Sequence, residues 1–154
     1  MKLKLIMSLI LATASMSAIA GQAEDQQVKF RQSAYSFAAW NCAKIKSQVV
    51  EHPETYNKEQ IIAAANSVAA VANSGLGALY APGTDQATGW KKSRLKPEFF
   101  TRQDDAKKAA LAFNKEANEL AKVAANGDVG AIKTQFGKLG ETCKSCHDDF
   151  RIKD

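Results

Sequence analysis

Cys143-Lys144-Ser145-Cys146-His147, close to the C-terminus, restricts this 154-residue chain more than any other stretch. On a helix, Cys143 and His147 lie one turn apart on a single face, and Cys146 is adjacent to it. Such a segment can add two thiols across the two vinyl groups of a haem and still bring an imidazole to the iron. C-x-x-C-H is the attachment pattern of a c-type haem. Part of the pattern also serves redox dithiols and zinc sites. A zinc site wants four ligands, and beyond the motif the chain offers only Cys42 and His52 for that set. A thioredoxin-like dithiol wants a βαβ setting, and no strand pattern surrounds this motif. The motif therefore reads as one covalent haem c per chain. Cys143 and Cys146 form the thioethers and His147 is the axial ligand of the iron.

The other end of the chain agrees with this reading. Lys2 and Lys4 precede the almost wholly apolar stretch from Leu5 to Leu11, and Ala18-Ile19-Ala20 offers a small-x-small cleavage site. This is the pattern of a secretory signal over residues 1–20, with cleavage as late as residue 23 also compatible. The apolar stretch is too short for a membrane span, so the expected product is an exported protein without membrane insertion. Haem c is attached outside the bacterial cytoplasm, so the periplasm is the expected location. Removing the two signal lysines from the net charge of +5 leaves about +3 on a single domain over 24–154. That charge is too mild, and the basic residues too scattered, for a nucleic-acid partner.

Helical periodicity runs through the rest of the chain. The first helix spans about Glu24 to Val50, with the stripe Arg31, Tyr35, Ala38, Cys42, Ile45, Val49, and His52-Pro53 ends it. Cys42 lies on that inward stripe, which favours a buried thiol over a disulfide between chains. Asn57 and Gln60 form a capping-box pattern for the second helix, with the stripe Ile61, Ala64, Val68, Ala72, Gly75. Residues 80–100 form a long irregular segment, of the kind that is often functional, here placed to cover a haem edge. Thr101 is the expected cap of the third helix, followed by Asp104 and Asp105 in its first turn. Its stripe is Ala106, Ala110, Phe113, Ala117, Leu120, Ala124. Asn126-Gly127 ends it, and Asp128 caps a fourth helix carrying Ile132, Phe136, Leu139, Cys143, Cys146, His147 and Phe150. Short connections between the first and second helices, and between the third and fourth, imply antiparallel neighbours. The fold class is all-α, an antiparallel four-helix bundle with the haem near the C-terminus. A core so rich in alanine buries little apolar area by itself, so the haem is expected to be part of the stability.

The far side of the iron decides what such a protein does. The three methionines are Met1, Met7 and Met16, all in the signal, so the His/Met arrangement of many electron carriers is unavailable. His52 stands beside Pro53 at a helix end, where a solvated imidazole is expected. The iron is expected to be five-coordinate with an open or occluded face, a state that favours small-ligand binding.

These features resemble cytochrome c′, the exported four-helix-bundle cytochromes with haem near the C-terminus. The resemblance covers about Val28 to Lys153. It is strongest at Cys143 through Arg151 and at Lys29-Phe30-Arg31-Gln32-Ser33-Ala34, and weaker at Pro82-Gly83-Thr84 and Pro97-Glu98-Phe99-Phe100. It implies that Arg31 and Gln32 lie by the haem and its propionates, and that Thr88 contacts the haem. It also implies that Arg151 stands beside the proximal histidine, with Phe150 and Phe100 in the haem pocket. Arg151 is equally readable as a cation at a helix C-terminus. At Tyr35 family members often place an aliphatic or phenylalanine side chain over the distal iron face. Tyrosine there offers bulk that gates entry, a hydroxyl that hydrogen-bonds a bound diatomic, or a phenolate ligand to ferric iron. The alternative is a core tyrosine whose hydroxyl reaches solvent.

The resemblance implies a periplasmic, high-spin monohaem cytochrome that binds nitric oxide or carbon monoxide and passes single electrons to a redox partner. It also implies a homodimer on the first two helices, for which Phe30, Phe37 and Trp40 are candidates. It implies no enzyme. The alternatives are a haem enzyme with peroxidase or nitric oxide-consuming activity, and a low-spin electron carrier. Efficient peroxide cleavage wants a distal acid–base group, and Arg31 and Tyr35 are the only polar candidates for that face.

Overall fold

The computed structural model describes residues 2–153, with side chains described from Gly21 onward. The expectation of a cleaved export signal therefore concerns side chains outside the described ones. Among the described residues there is no β-strand, only isolated bridges between Thr88 and Lys92 and between Leu95 and Arg151. The helices are α1 (Lys2–Lys46), α2 (Lys58–Ala72), α3 (Glu98–Thr101), α4 (Gln103–Asn126) and α5 (Val129–Phe150). Apart from the single turn α3, they make the four-helix bundle expected from the periodicity.

α1 buries Val28, Arg31, Ala38, Asn41 and Ile45 along one face, which Val49 continues just past its end. It closes in one wide π turn over Ser47–Glu51, and His52 N still reaches Ser47 O at 2.7 Å. Pro53 then begins a short 3₁₀ turn, because proline has no N–H to continue the ladder. Asn57 caps α2 as expected, its side chain accepting from Gln60 N at 3.0 Å. The reciprocal half of the capping box is not made. Gln48 replaces it, accepting from Asn57 N at 2.9 Å and donating to Gln60 Oε1 at 2.7 Å. One side chain at the end of α1 thereby fixes the turn into α2.

Three further expectations need correction. The apolar stripe of α2 stops early: Ile61, Ala64 and Val68 are buried, but Ala72 is half-buried and Gly75 lies beyond the helix at φ +77°. Thr101 does not cap the third long helix. It ends α3, where its hydroxyl donates to Glu98 O at 3.2 Å. Arg102, at φ −111° and ψ 52°, separates α3 from α4 and offers no side-chain cap. It instead pairs with Asp105 at 2.8 Å in the first turn of α4. Lastly, Ala110 is exposed while Ala106, Ala117, Leu120 and Ala124 are buried. Asn114 already meets the end of α2, donating to Ala72 O at 3.2 Å, so α4 before Asn114 runs past that neighbour. Asn126-Gly127 ends α4 with Gly127 at φ +82°, and Asp128 caps α5 by accepting from Ala131 N at 2.7 Å.

α1 packs along α2, α2 along α4 and α4 along α5, whereas α1 and α5 barely meet. The fully packed core lies at one end and comprises Ile45, Val49, Ile61, Ala64, Ala65, Val68, Ala117, Leu120, Ala124, Ile132 and Leu139. At the other end the segment from Leu76 to Pro97 folds over α1 and α5. It lies so close to α1 at Gly89 that a Cβ there would stand 2.5 Å from Lys29 N, which only glycine avoids. Near its end, Lys96 N donates to Phe150 O at 2.9 Å and Ile152 N to Arg94 O at 2.8 Å, clasping the end of α5.

Candidate functional site

Cys143 and Cys146 are half-buried on α5, and His147 follows them on the more exposed side. Burial raises both thiols above their ordinary pKa. Partial burial, then the neighbouring Arg94 charge, lower that of His147, which keeps its imidazole in the neutral, metal-ligating form at neutral pH. His147 shares a depression of about 280 Å³ with Arg94, Asp148, Arg151, Ile152 and Lys153. Arg151 lines the same depression as His147 and is also the C-cap of α5. Lys96 donates to the carbonyls of Asp148 and Asp149 at 2.9 and 3.0 Å. This satisfies the last turn of the helix with positive charge where the dipole favours it.

Across from α5, Tyr35 stands on α1 with its electrostatics coupled to Cys143 and Cys146. Cys42, two turns further along α1, feels Cys143 and packs against the closed core. Burial pushes its thiol up to about 11, so it is a neutral, inert group. Burial also raises Tyr35, which keeps it a phenol at neutral pH. The Tyr35 ring meets Phe113 of α4 at 6.5 Å, and its hydroxyl accepts from the Tyr80 hydroxyl at 3.2 Å. Tyr80 stacks on Phe99 at 4.6 Å, and Phe99 meets the buried Phe150 edge-on at 5.4 Å. An aromatic wall therefore runs from Tyr35 through the irregular segment to α5.

Arg31 is buried, with 6% exposure. Its guanidinium donates to Leu79 O, Thr84 Oγ1, Thr84 O and Ser93 Oγ at 3.0–3.3 Å and lies 4.4 Å from the Tyr80 ring centre. Burial lowers its pKa, against the opposing influence of Tyr80, Tyr35 and Asp85. Gln32 holds both polar groups of Lys91, donating to its carbonyl at 2.8 Å and accepting from its N–H at 3.2 Å. Both residues thus pin the segment to α1. Thr88 is exposed and bonded to Asp25 at 2.7 Å, and none of the bonds described for it reaches the motif. Phe100 packs edge-on to Phe99 and lines a separate depression of about 560 Å³ at the α3–α4 junction that contains neither cysteine nor histidine. His52 is exposed at the far end of α1 and pairs with Glu54 at 3.4 Å.

Sequence periodicity found Tyr35, Phe113 and Phe150 because they sit on helices. It missed Tyr80, Ser93, Arg94 and Lys96, which come from a segment without period. The donor set fits a flat macrocycle bound through α5. Two thiols are spaced i,i+3, a neutral imidazole follows, and an aromatic wall stands opposite where two helices fail to close on each other.

The family model described as Cytochrome C′ matches residues 26–151. A relative named cytochrome c′ from Rhodocyclus tenuis is 55% identical over 127 residues, covering 82% of this chain and 94% of its own. A solved cytochrome c′, described as having an unusual ligand-controlled dimer dissociation, is 49% identical with a TM-score of 0.79, covering 84% and 97% of the two chains. A nitric oxide complex of a leucine variant of the Alcaligenes xylosoxidans protein is 27% identical with a TM-score of 0.73, covering 85% and 97%.

Proposed function

The chain belongs to the cytochrome c′ family and carries one covalently attached haem c, and from that premise we propose the following assignment. Cys143 and Cys146 form the thioethers, and His147 holds the iron from one side. Tyr35 stands over the opposite face, which has no protein ligand. The haem supplies a redox-active iron with one coordination position for a diatomic. The residues of the chain supply attachment, a neutral axial imidazole and a wall that limits access.

One observation carries this reading. The only second histidine, His52, is at the wrong end of the bundle with its side chain 62% exposed, and no methionine occurs after residue 16. Tyr35 remains as the polar group on that side, and its raised pKa disfavours phenolate ligation. The protein is then high-spin and five-coordinate, binds nitric oxide or carbon monoxide, and passes single electrons. The solved nitric oxide complex of a relative supports the ligand class. Arg151 and Arg94 place positive charge by the axial histidine. A haem enzyme is less well served, because Arg31 is committed to the loop and Tyr35 is a weakly acidic phenol.

Phe30, Phe37 and Trp40 are 59%, 50% and 58% exposed along α1. Trp90 extends that stripe through its bond to Ser33 at 2.8 Å. This apolar surface supports a homodimer, consistent with the dimeric solved relative. The signal pattern of residues 1–20 supports a periplasmic location, and no helix among the described residues is long and apolar enough to cross a membrane. Absorption and resonance Raman spectra in both oxidation states, with and without nitric oxide, test the central assignment. Five-coordinate high-spin bands and a nitric oxide-dependent change are expected. A six-coordinate low-spin spectrum in both states would sink it.

A further inference from the structure

Gln27, Arg31 and Tyr35 are spaced by four and so form one ridge of α1. All three hold the same three-residue stretch. Ala81 N donates to Gln27 Oε1 at 3.2 Å, Arg31 donates to Leu79 O at 3.0 Å, and the Tyr80 hydroxyl donates to the Tyr35 hydroxyl at 3.2 Å. The backbone on each side of Tyr80 is therefore fixed to the helix that carries Tyr35. The Tyr80 ring is fixed as well, stacked on Phe99 with an interplanar angle of 19° and held beneath the Arg31 guanidinium. Tyr35, by contrast, is 39% exposed, with its ring tilted at 53° to Phe113. A hydroxyl on a side chain held by stacking and by its flanking backbone thus bonds the hydroxyl of a more exposed one.

We infer that Tyr80 is a positioning residue, a latch whose hydroxyl holds the Tyr35 side chain across the haem face opposite His147 and so slows the entry of a diatomic ligand. This rests on the five-coordinate reading above. Entry requires Tyr35 to rotate aside and its bond to Tyr80 to break, and Tyr80 itself need not move. At 3.2 Å the bond is longer than the usual hydroxyl pair, so its effect is that of one weak neutral hydrogen bond.

Tyr80→Phe removes the hydroxyl and keeps the ring against Phe99 and Arg31. In the ferrous holoprotein, carbon monoxide association measured after flash photolysis should become roughly 2- to 10-fold faster. Tyr35→Phe should accelerate it similarly, and the double variant should be no faster than the faster single one, since both break one contact. The chain has three tyrosines. The third, Tyr56, bonds Gly127 O at the closed end, so Tyr56→Phe should leave the rate unchanged. With Tyr56→Phe and Tyr80→Phe combined, Tyr35 is the one tyrosine left, and its ultraviolet resonance Raman band should be that of a phenol accepting no hydrogen bond, shifted from the Tyr35 contribution to the two-tyrosine spectrum of Tyr56→Phe. A wild-type rate in Tyr80→Phe, additive rate effects or an unmoved Tyr35 band overturns the latch while leaving the haem reading intact. A wild-type ferrous protein that takes up no carbon monoxide overturns both.

Discussion

The two ends of the bundle are built on different chemistry. At the closed end, aliphatic and alanine side chains from all four long helices interlock, and Ile45, Ile61, Val68, Leu120 and Ile132 have no exposed surface. At the other end α1 and α5 stand apart, and the side chains between them are thiols, tyrosines and phenylalanines, half-buried and held by a segment without regular structure. The first end needs only the chain to be complete. The second is organised around something wide and flat, with polar side chains fixing the wall instead of filling the space. Stability and function are thus segregated along the bundle axis, and Cys42, which packs on the core and lies within electrostatic reach of Cys143, marks the boundary.

The contrast breaks most severely if the macrocycle is never attached. Replacing Cys143 and Cys146 together by alanine should abolish haem staining after denaturing electrophoresis and leave a chain with poorly cooperative melting. Melting of that variant near the holoprotein temperature would show that the open end closes by itself. Next is Leu120→Ala at the closed end. It should cost about 2–5 kcal/mol in denaturant unfolding yet leave the haem spectrum unchanged.

The boundary is sharpened by pH. The Cys42 thiol sits at about 11 in the fold against an ordinary value of 9.0. The native state therefore keeps its proton where the unfolded chain has lost it. The stability this provides is complete below pH 9.0 and is lost as pH rises toward 11, a fall of at most about 3 kcal/mol, since the Cys143 share of the shift vanishes once that thiol is a thioether. Chemical denaturation across that range should show the fall in wild type and a smaller one in Cys42→Ala. The smallest expected effect is at the loop. Arg31→Met leaves the oxygens of Leu79, Thr84 and Ser93 without their donor, which should lower stability by about 1–3 kcal/mol. Proteolytic nicking of residues 79–93 should rise while the α2–α4 contact stays protected from hydrogen exchange.

The closed end was almost wholly legible in the sequence, because a helix buried on one face must repeat its apolar residues every three or four positions. Ile45, Val49, Ile61, Ala64, Val68, Ala117, Leu120, Ala124, Ile132 and Leu139 follow that rule. It failed at Ala110, since periodicity tells which way a residue faces and not whether a neighbouring helix reaches that far. Thr101 was misjudged because capping preference cannot sense a break one residue later, at Arg102. At the open end the spacing placed Cys143, Cys146 and His147 on one helix, as observed, whereas the stripe placed Tyr35 inward and it is 39% exposed. The partners Tyr80, Ser93 and Lys96 were not legible, since their positions depend on where an aperiodic segment touches α1 and α5. Arg31 shows both sides. Its inward place was readable, while its bonds to the segment were visible only in three dimensions.

The clasp between residues 94–96 and the end of α5 sets an order of events in folding. α4 and α5 adjoin in sequence and pack along their length, as do α1 and α2, so each hairpin forms through a short connection. The clasp, and the meeting of the Tyr35 face with α5, join distant parts of the chain and pay a larger closure entropy. Cys143 to His147 is therefore walled in last. A chain without haem can form its hairpins, yet the wall around Cys143 to His147 closes only once the macrocycle is there to hold it.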